Sequence, residues 1–244
     1  MPVAQRTLAE LESAVRDIGD MSDVENRRAT VAVTPAMAAG ILPAVLTSIA
    51  NAYPHIEIHM KEADSSQIIA LIDSGEVDLG VDAVVKSSPG ITREVVGTFD
   101  MVYVCRDEFR EVRFGGTAFS AEMDWADIPA APLIGMSAGN PMQQIIDQRL
   151  MDLGRAIVQR EAFSHLLTIV ALVEAGHGAA ILPAFVLPMC ARFSVQATHL
   201  RRPSDSIDVY VARKSGRTNS EICTIFTEAV TLKLRSLVNA AAPG

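Results

Sequence analysis

Two stretches of the chain repeat the order strand, helix, strand, and this order limits the possible folds more than any other feature. In the first stretch, residues 30–33 and 77–81 are short apolar runs typical of buried strands. Between them Ile56, Ile58 and Met60 alternate with polar residues, the period of a strand with one buried face. Strands separated by helices pair in parallel and are covered by those helices, so the sequence predicts an α/β fold.

The helices of the first stretch have recognisable ends. Thr34 followed by Pro35 predicts a helix start, with a capping hydroxyl and a proline in the first turn, and this helix extends to about residue 52. Ser65 or Ser66 can cap the next helix, and Gly75 ends it. A parallel βαβ arrangement follows from these boundaries.

The second stretch is built in the same way. Asn140 with Pro141 opens a helix after an apolar strand, just as Thr34 with Pro35 does, and Gly154 ends that helix. The remaining predicted elements are strands at 133–136, 179–182 and 207–213 and helices at 164–175 and 221–238. Two such stretches predict two lobes.

The first 28 residues have a different pattern. Apolar side chains spaced by three and four residues form a narrow stripe on a predicted helix over residues 7–21, and a polar linker follows at 22–28. The stripe consists of Leu8, Leu11, Val15 and Ile18. A stripe this narrow favours pairing with another helix, so we expect a homodimer or a higher homo-oligomer.

Charge and hydropathy exclude two classes of protein. The net charge of −8, from 21 Lys and Arg against 29 Asp and Glu, argues against a nucleic-acid-binding surface on these residues. The longest apolar stretch, 166–191, is interrupted by charged residues and prolines, which argues against a membrane span. The charged N-terminus lacks the apolar core of a secretory signal, so we expect a soluble, cytoplasmic protein.

Catalytic and metal-binding chemistry has little support. The chain has no GxSxG motif and no phosphate-binding loop, so we expect no enzymatic activity and no cofactor. Its three cysteines have no metal-ligand spacing, and we interpret them as core residues. His55, Glu57 and His59 share one strand face and could ligate zinc, but an exposed edge strand explains the same alternation, and we expect no metal site.

Polar residues at strand ends predict a small-molecule site. In parallel α/β lobes, ligands bind at the carboxyl ends of strands, near helix N-termini whose free N–H groups favour anions. The candidates at such places are Thr34, Ser65, Ser137, Asn140 and Ser164. Each of these residues could also be a plain helix cap. The prediction of a binding site therefore depends on all of them lying at the same edge of the lobes.

Four stretches, in this order and spacing, resemble the effector-binding region of LysR-type transcriptional regulators. They are 34–36 with 40–43 (TPA, GILP), 53–56 (YPHI), 75–81 (GEVDLGV), and 173–178 with 182–183 (VEAGHG, LP). The resemblance implies a type 2 periplasmic-binding-protein-like fold, with two Rossmann-like lobes joined by two crossover strands and preceded by a partial linker helix. We expect lobe I at 29–104 plus 215–244 and lobe II at 105–214.

The resemblance also implies a function. The family binds a small effector between the lobes, here expected to be a small organic metabolite, and passes the signal to an N-terminal winged helix-turn-helix, which would precede residue 1. DNA would then be contacted only through that missing domain. The alternative is a type 2 solute-binding protein of a transport system, which shares the fold.

The family's pocket positions correspond to a set of residues in both lobes. They are Thr34, Pro35, Ala36, Ser65, Asp82, Ser137, Asn140, Phe163 and Ser164. Ala36 stands where many relatives have a second hydroxyl, so a carboxylate would be held less firmly. Asp82 could favour an effector with an amine or hydroxyl groups, or it could simply cap or pair at a strand end.

Overall fold

A computed structural model describes residues 27–83, 87–106, 121–155, 161–216 and 220–241. The predicted linker helix and its apolar stripe therefore lie outside the described residues. Within the described ranges the strands are β1 (Arg28–Val33), β2 (Glu57–Glu62), β3 (Leu79–Asp82), β4 (Ile91–Cys105), β5 (Ala121–Asp124), β6 (Leu133–Met136), β7 (Ala162–Phe163), β8 (Ala179–Pro183), β9 (Gln196–Arg201) and β10 (Ser206–Lys214). The helices are α1 (Pro35–Gly40), α2 (Leu42–Ala52), α3 (Ser65–Ser74), α4 (Pro141–Asp152), α5 (Leu166–Glu174), α6 (Leu187–Cys190) and α7 (Glu221–Ala241).

The first lobe is a mixed sheet in the order β2, β1, β3, β10 and the first part of β4. β1 runs parallel to both β2 and β3, as the sequence predicts, whereas β10 lies antiparallel between β3 and β4. The side chain and backbone of Asp78 close the pairing of β1 with β3, because the Thr30 amide donates to the Asp78 carboxylate and the Asp78 amide donates to the Thr30 carbonyl. The third resembling stretch thus fixes the sheet register.

Gly80 in β3 is required by close packing. A Cβ atom at this position would lie 2.3 Å from Cγ2 of Ile68 on α3, and α3 packs on this face of the sheet. The helix ends at Gly75, whose φ of +78° is the left-handed conformation that glycine adopts most readily. Two glycines of one motif therefore set where α3 ends and how closely it approaches the sheet.

The second lobe uses the last part of β4 as the start of its sheet. Residues Val102–Cys105 pair with β9, and Met101–Val104 pair with β8. From β8 the order continues to β6 and β7, while β5 pairs with the other side of β9. β4 thus passes from one lobe to the other.

The second crossing is the connection from β9 to β10. β9 belongs to the second lobe and β10 pairs with β3 and β4 in the first. The strand Ser206–Lys214 therefore belongs to the first-lobe sheet, although the predicted division assigned 105–214 to lobe II. Two crossings between two α/β lobes confirm the predicted fold class.

The helix predicted from Thr34 to about residue 52 is interrupted. α1 ends at Gly40, Ile41 has a φ of −121°, and α2 begins at Leu42 with Pro43 in its first turn. A proline inside a helix lacks the N–H and its ring clashes with the carbonyl four residues earlier, so the chain restarts the helix at this point. Pro43 is a sequence signal for this interruption, and the predicted single helix did not take it into account.

One large apolar core extends through both lobes, and a smaller cluster lies under α3. The large core includes Trp125, Phe185 and Phe226, each 2% exposed or less. Cys105, Cys190 and Cys223 are all buried, as predicted. None of the described helices is both long and apolar enough to cross a membrane.

Candidate functional site

A cavity of about 650 Å³ lies between the lobes, at the carboxyl ends of β1, β3 and β6. Its volume is within the range of small-molecule sites. Eight of the nine predicted site residues line it: Thr34, Pro35, Ala36, Ser65, Asp82, Ser137, Asn140 and Ser164. The ninth, Phe163, is half-buried and packs against the core instead.

Thr34 and Asp82 form the centre of the first-lobe wall. Each follows or ends a strand, and because β1 and β3 are adjacent and parallel, their carboxyl ends meet at one edge. The Thr34 hydroxyl donates to the Asp82 carboxylate over 3.4 Å, and Asp82 is only 4% exposed. Thr34 occupies the cap position of α1 without making a capping hydrogen bond, so its hydroxyl serves the cavity wall.

Ser65 lines the cavity but does not cap α3, which corrects the prediction. The cap is Asp64, whose carboxylate accepts from the Gln67 amide while the Gln67 side chain accepts from the Asp64 amide. This reciprocal pairing is a capping box. Ser65 is therefore the first residue of the helix, and its hydroxyl lies at the cavity without a capping role.

The second-lobe wall is built on the start of α4. The Asn140 side chain caps this helix, as predicted, by accepting from the Met142 amide over 2.9 Å. Behind it the buried Gln143 accepts from the Met136 amide at the end of β6 over 2.8 Å. These two bonds fix the turn from β6 to α4, which contains Ser137, on a rigid support.

Ser164 also lies at the cavity, although it does not begin a helix. The cap position of α5 is His165, which makes no capping hydrogen bond with its side chain, and the helix starts at Leu166. Both Ser164 and His165 line the cavity. Phe163 precedes them in β7, where alternation turns its ring toward the core.

Several lining residues were not predicted. Apolar ones are Ile69, Met136, Pro141, Met142, Leu166 and Phe185, and polar ones are Asp64, Ser66, Ser87, Ser88 and His165. Phe185 follows the LP pair of the last resembling stretch by two residues. Its place just after that motif is the sequence signal that could have identified it as a lining residue. The capping-box pattern of Asp64 with Gln67 could likewise have identified Asp64.

The arrangement suits binding. Hydroxyl-bearing residues of both lobes line the cavity together with apolar side chains, so a ligand could hydrogen-bond to each lobe and bury carbon atoms between them. Among the described lining residues, the ionisable side chains are Asp64, Asp82 and His165. No group of three or more metal-ligating side chains occurs in the described parts of the chain, and His55, Glu57 and His59 lie at or beside the exposed edge strand β2.

Comparisons with known proteins agree with this geometry. The family model for the LysR substrate binding domain matches residues 22–234. The HTH-type transcriptional regulator YfeR of Shigella flexneri is 25% identical over 187 residues, which cover 76% of this chain and 58% of that protein. The chain thus spans little more than half of this curated relative.

Solved structures show the same fold. A mutant of OxyR from Corynebacterium glutamicum matches with a TM-score of 0.74 at 21% identity, covering 98% of this chain and 75% of that one. The regulatory domain of CcmR from Synechocystis, solved with 2-PG, matches with a TM-score of 0.66 at 17% identity, covering 84% and 96%. The family model and the curated relative concern transcriptional regulators, so a transport solute-binding protein is not favoured.

Proposed function

This chain belongs to the LysR substrate-binding domain family, and we propose that it senses a small organic metabolite in the cavity between its lobes. The observation that carries the proposal is the cavity itself, to which both lobes contribute hydroxyls. A ligand that bridges Thr34 and Ser137 would be bound more tightly when the lobes are close together. Differential affinity for two lobe arrangements is what a sensor requires.

The predicted site residues are proposed as the effector contacts. Thr34, Ser65 and Asp82 would contact the ligand from the first lobe, and Ser137, Asn140 and Ser164 from the second. Asp82 accepts hydrogen bonds and Ala36 offers none, so the first-lobe wall suits a ligand with hydroxyl or amine groups. Phe163 is not retained in this set, because its ring packs into the core.

The proposed signal passes from this chain to another domain of the full-length regulator. Related proteins are HTH-type transcriptional regulators, and we propose that ligand binding here changes how a DNA-binding domain of the full-length protein meets its operator. Such a role places the protein in the cytoplasm. Sensing of this kind needs no cofactor, and the ligand leaves the site chemically unchanged.

We also propose that the chain assembles as a homodimer through β2. This strand pairs with β1 and lies at the end of the first-lobe sheet, and Met60 in it is 43% exposed. Edge strands present unpaired backbone groups that can bind another strand. The second copy would cover both these groups and the Met60 side chain.

A thermal-shift screen of small acids, amines and polyols tests the proposed function. A ligand that binds only the folded chain raises its melting temperature, by an amount that grows with concentration. We expect at least one compound class to raise it. A melting temperature that no compound moves, under conditions in which the chain is folded, would contradict the proposal.

A further inference from the structure

Both crossings between the lobes pass through one cluster of charged side chains, which we call the crossover cluster. It consists of Asp100 on β4, Glu122 on β5, Arg149 on α4, and Arg201, Ser204 and Asp205 on the second crossing. A backbone hydrogen bond from the Met101 amide to the Asp205 carbonyl, 3.3 Å long, joins the two crossings directly. The cluster therefore lies at the two connections between the lobes.

Within the cluster, Arg149 and Asp205 form a two-pronged ion pair. Nε of Arg149 lies 2.6 Å from Oδ2 of Asp205, and the Nη2 atom lies 2.7 Å from Oδ1. The side chains are 25% and 16% exposed, so solvent screens this pair less than an open surface pair. Bidentate pairs of this kind are among the stronger and more directional polar contacts in proteins.

The two partners of this pair lie on different parts of the fold, Asp205 on the second crossing and Arg149 in the second lobe. Asp205 directly precedes Ser206, where β10 starts its pairing with Asp100 in the first-lobe sheet. Arg149 lies on α4, which is attached to the second lobe through Gln143 and β6. The pair therefore connects the second lobe to the crossing that leads directly into β10 of the first lobe.

Helix α4 also reaches the cavity. Its first residues, Pro141 and Met142, line the cavity next to Asn140, and Arg149 lies two turns further along the same helix. The capping bond of Asn140 and the buried side chain of Gln143, 2% exposed, hold the first turn in place. One rigid helix thus has the ligand wall at its start and the ion pair near its end.

We propose that Arg149 and Asp205 are positioning residues that set the angle between the lobes and so the width of the cavity. This inference rests on the proposed function only in taking the cavity as the ligand site. Without the pair, α4 would lose its tie to β10, and the lobes would sample a wider range of separations. Arg201 holds Asp100 and Glu122 together and keeps the crossings in register.

Distances between two spin labels in the ligand-free chain test this proposal. Ala70→Cys on α3 and Thr168→Cys on α5 place one label on an exposed position of each lobe. The native cysteines of the described chain are buried, so the introduced ones can be labelled selectively. Dilution with unlabelled protein restricts the signal to pairs within one chain.

Asp205→Asn in this background is expected to broaden the distance distribution and shift it to longer values. Arg149→Lys keeps the charge but loses the two-pronged geometry, so it should give an intermediate distribution. The control is Lys61→Gln, which breaks an exposed ion pair with Glu76 within the first lobe, away from both crossings, and which should leave the distribution unchanged.

Three results would overturn the proposal. They are an unchanged distribution in both Asp205→Asn and Arg149→Lys, a change of equal size in Lys61→Gln, and a broadening that lower stability, measured by urea unfolding, explains completely. If Asp205→Asn does not fold, Arg149→Lys decides alone. No ligand is used, so failure of the ligand screen leaves this result interpretable.

Discussion

The hydroxyl of Thr34 donates a hydrogen bond to the carboxylate of Asp82 across 3.4 Å, joining the ends of two neighbouring parallel strands. The two residues are 48 positions apart in the sequence, and both line the cavity between the lobes. Thr34 thereby orients the acid, and the sheet positions both. The proposed binding chemistry of the first lobe depends on this pair.

Replacing the acid should weaken binding. Asp82→Ala removes an acceptor from the cavity wall, and a hydrogen bond to a charged group contributes roughly 1.5–3 kcal/mol, so the affinity for the effector should fall about tenfold or more. Isothermal titration with a compound from the ligand screen measures this. Unchanged affinity would remove Asp82 from the site. Asp73→Asn, at an exposed acid of α3 outside the cavity, is the control.

Thr34→Val should act through Asp82. Valine has nearly the shape of threonine but cannot donate, so the carboxylate loses its hydrogen bond while the wall keeps its form. Affinity should fall, and Thr34→Ser, which keeps the hydroxyl, should recover most of it. Titrations of the two variants side by side measure this difference; equal affinities would show that the hydroxyl is unimportant.

Gly80→Ala should destabilise the first lobe. The new Cβ would meet Cγ2 of Ile68 at 2.3 Å, so α3 must move away from the sheet, at a cost of about 1–3 kcal/mol in the free energy of unfolding. Urea unfolding measures the cost. Gly139→Ala, whose Cβ would meet no atom within 4 Å, should cost much less. Adding Ile68→Ala should make the Gly80 change cheaper, and additive costs would contradict the packing argument.

Cys190 should make stability fall at alkaline pH. Burial raises the pKa of its thiol from 9.0 to about 12, and the side chain is 0% exposed. Above pH 9 the unfolded thiol ionises while the folded one stays neutral, so stability present below pH 9 is lost as the pH rises toward 12. From pH 9 to 10 the parent should lose about 1 kcal/mol more than Cys190→Ala. Parallel losses in urea unfolding would contradict this.

Met60→Lys should disrupt the proposed homodimer. A charge on the edge strand β2 would have to be buried against the second copy, so light scattering should show a lower mass than for the parent. Val95→Lys, at a residue of β4 that is 50% exposed, is the matched control and should keep the parent's mass. A parent that is strictly monomeric would contradict the assembly itself.

The sequence predicted those parts of the fold that local chemistry determines. Asn140 with Pro141 marked the start of α4, and Gly75 marked the end of α3, because caps and left-handed turns depend on residues nearby. β4 was not predicted. Its first part is largely exposed and its last part fully buried, so it shows neither alternation nor one continuous apolar run. Its pattern reflects passage through two sheets, which is a tertiary property.

The candidate site was predicted at the positions that directly follow strands, whereas most of its apolar positions and several polar ones were missed. Ser137 and Asn140 follow a strand and precede a helix, which is a local signal. Phe185 reaches the cavity from a short turn after β8, and its ring also packs edge-on against Phe99, 5.8 Å between centroids. That Phe185 both lines the cavity and packs in the core follows from the tertiary packing of the chain. Phe163 does not line the cavity, because β7 turns its ring to the core.

Binding to the parent chain and to a variant with a blocked cavity tests the central claim most directly. Ser137 is exposed and lines the cavity, so Ser137→Trp should fill the space between the lobes without disturbing the core. Isothermal titration with the strongest compound from the thermal-shift screen should give one site per chain in the parent and no measurable binding in the folded variant. Equal binding to both would contradict the account, because the ligand would then bind elsewhere.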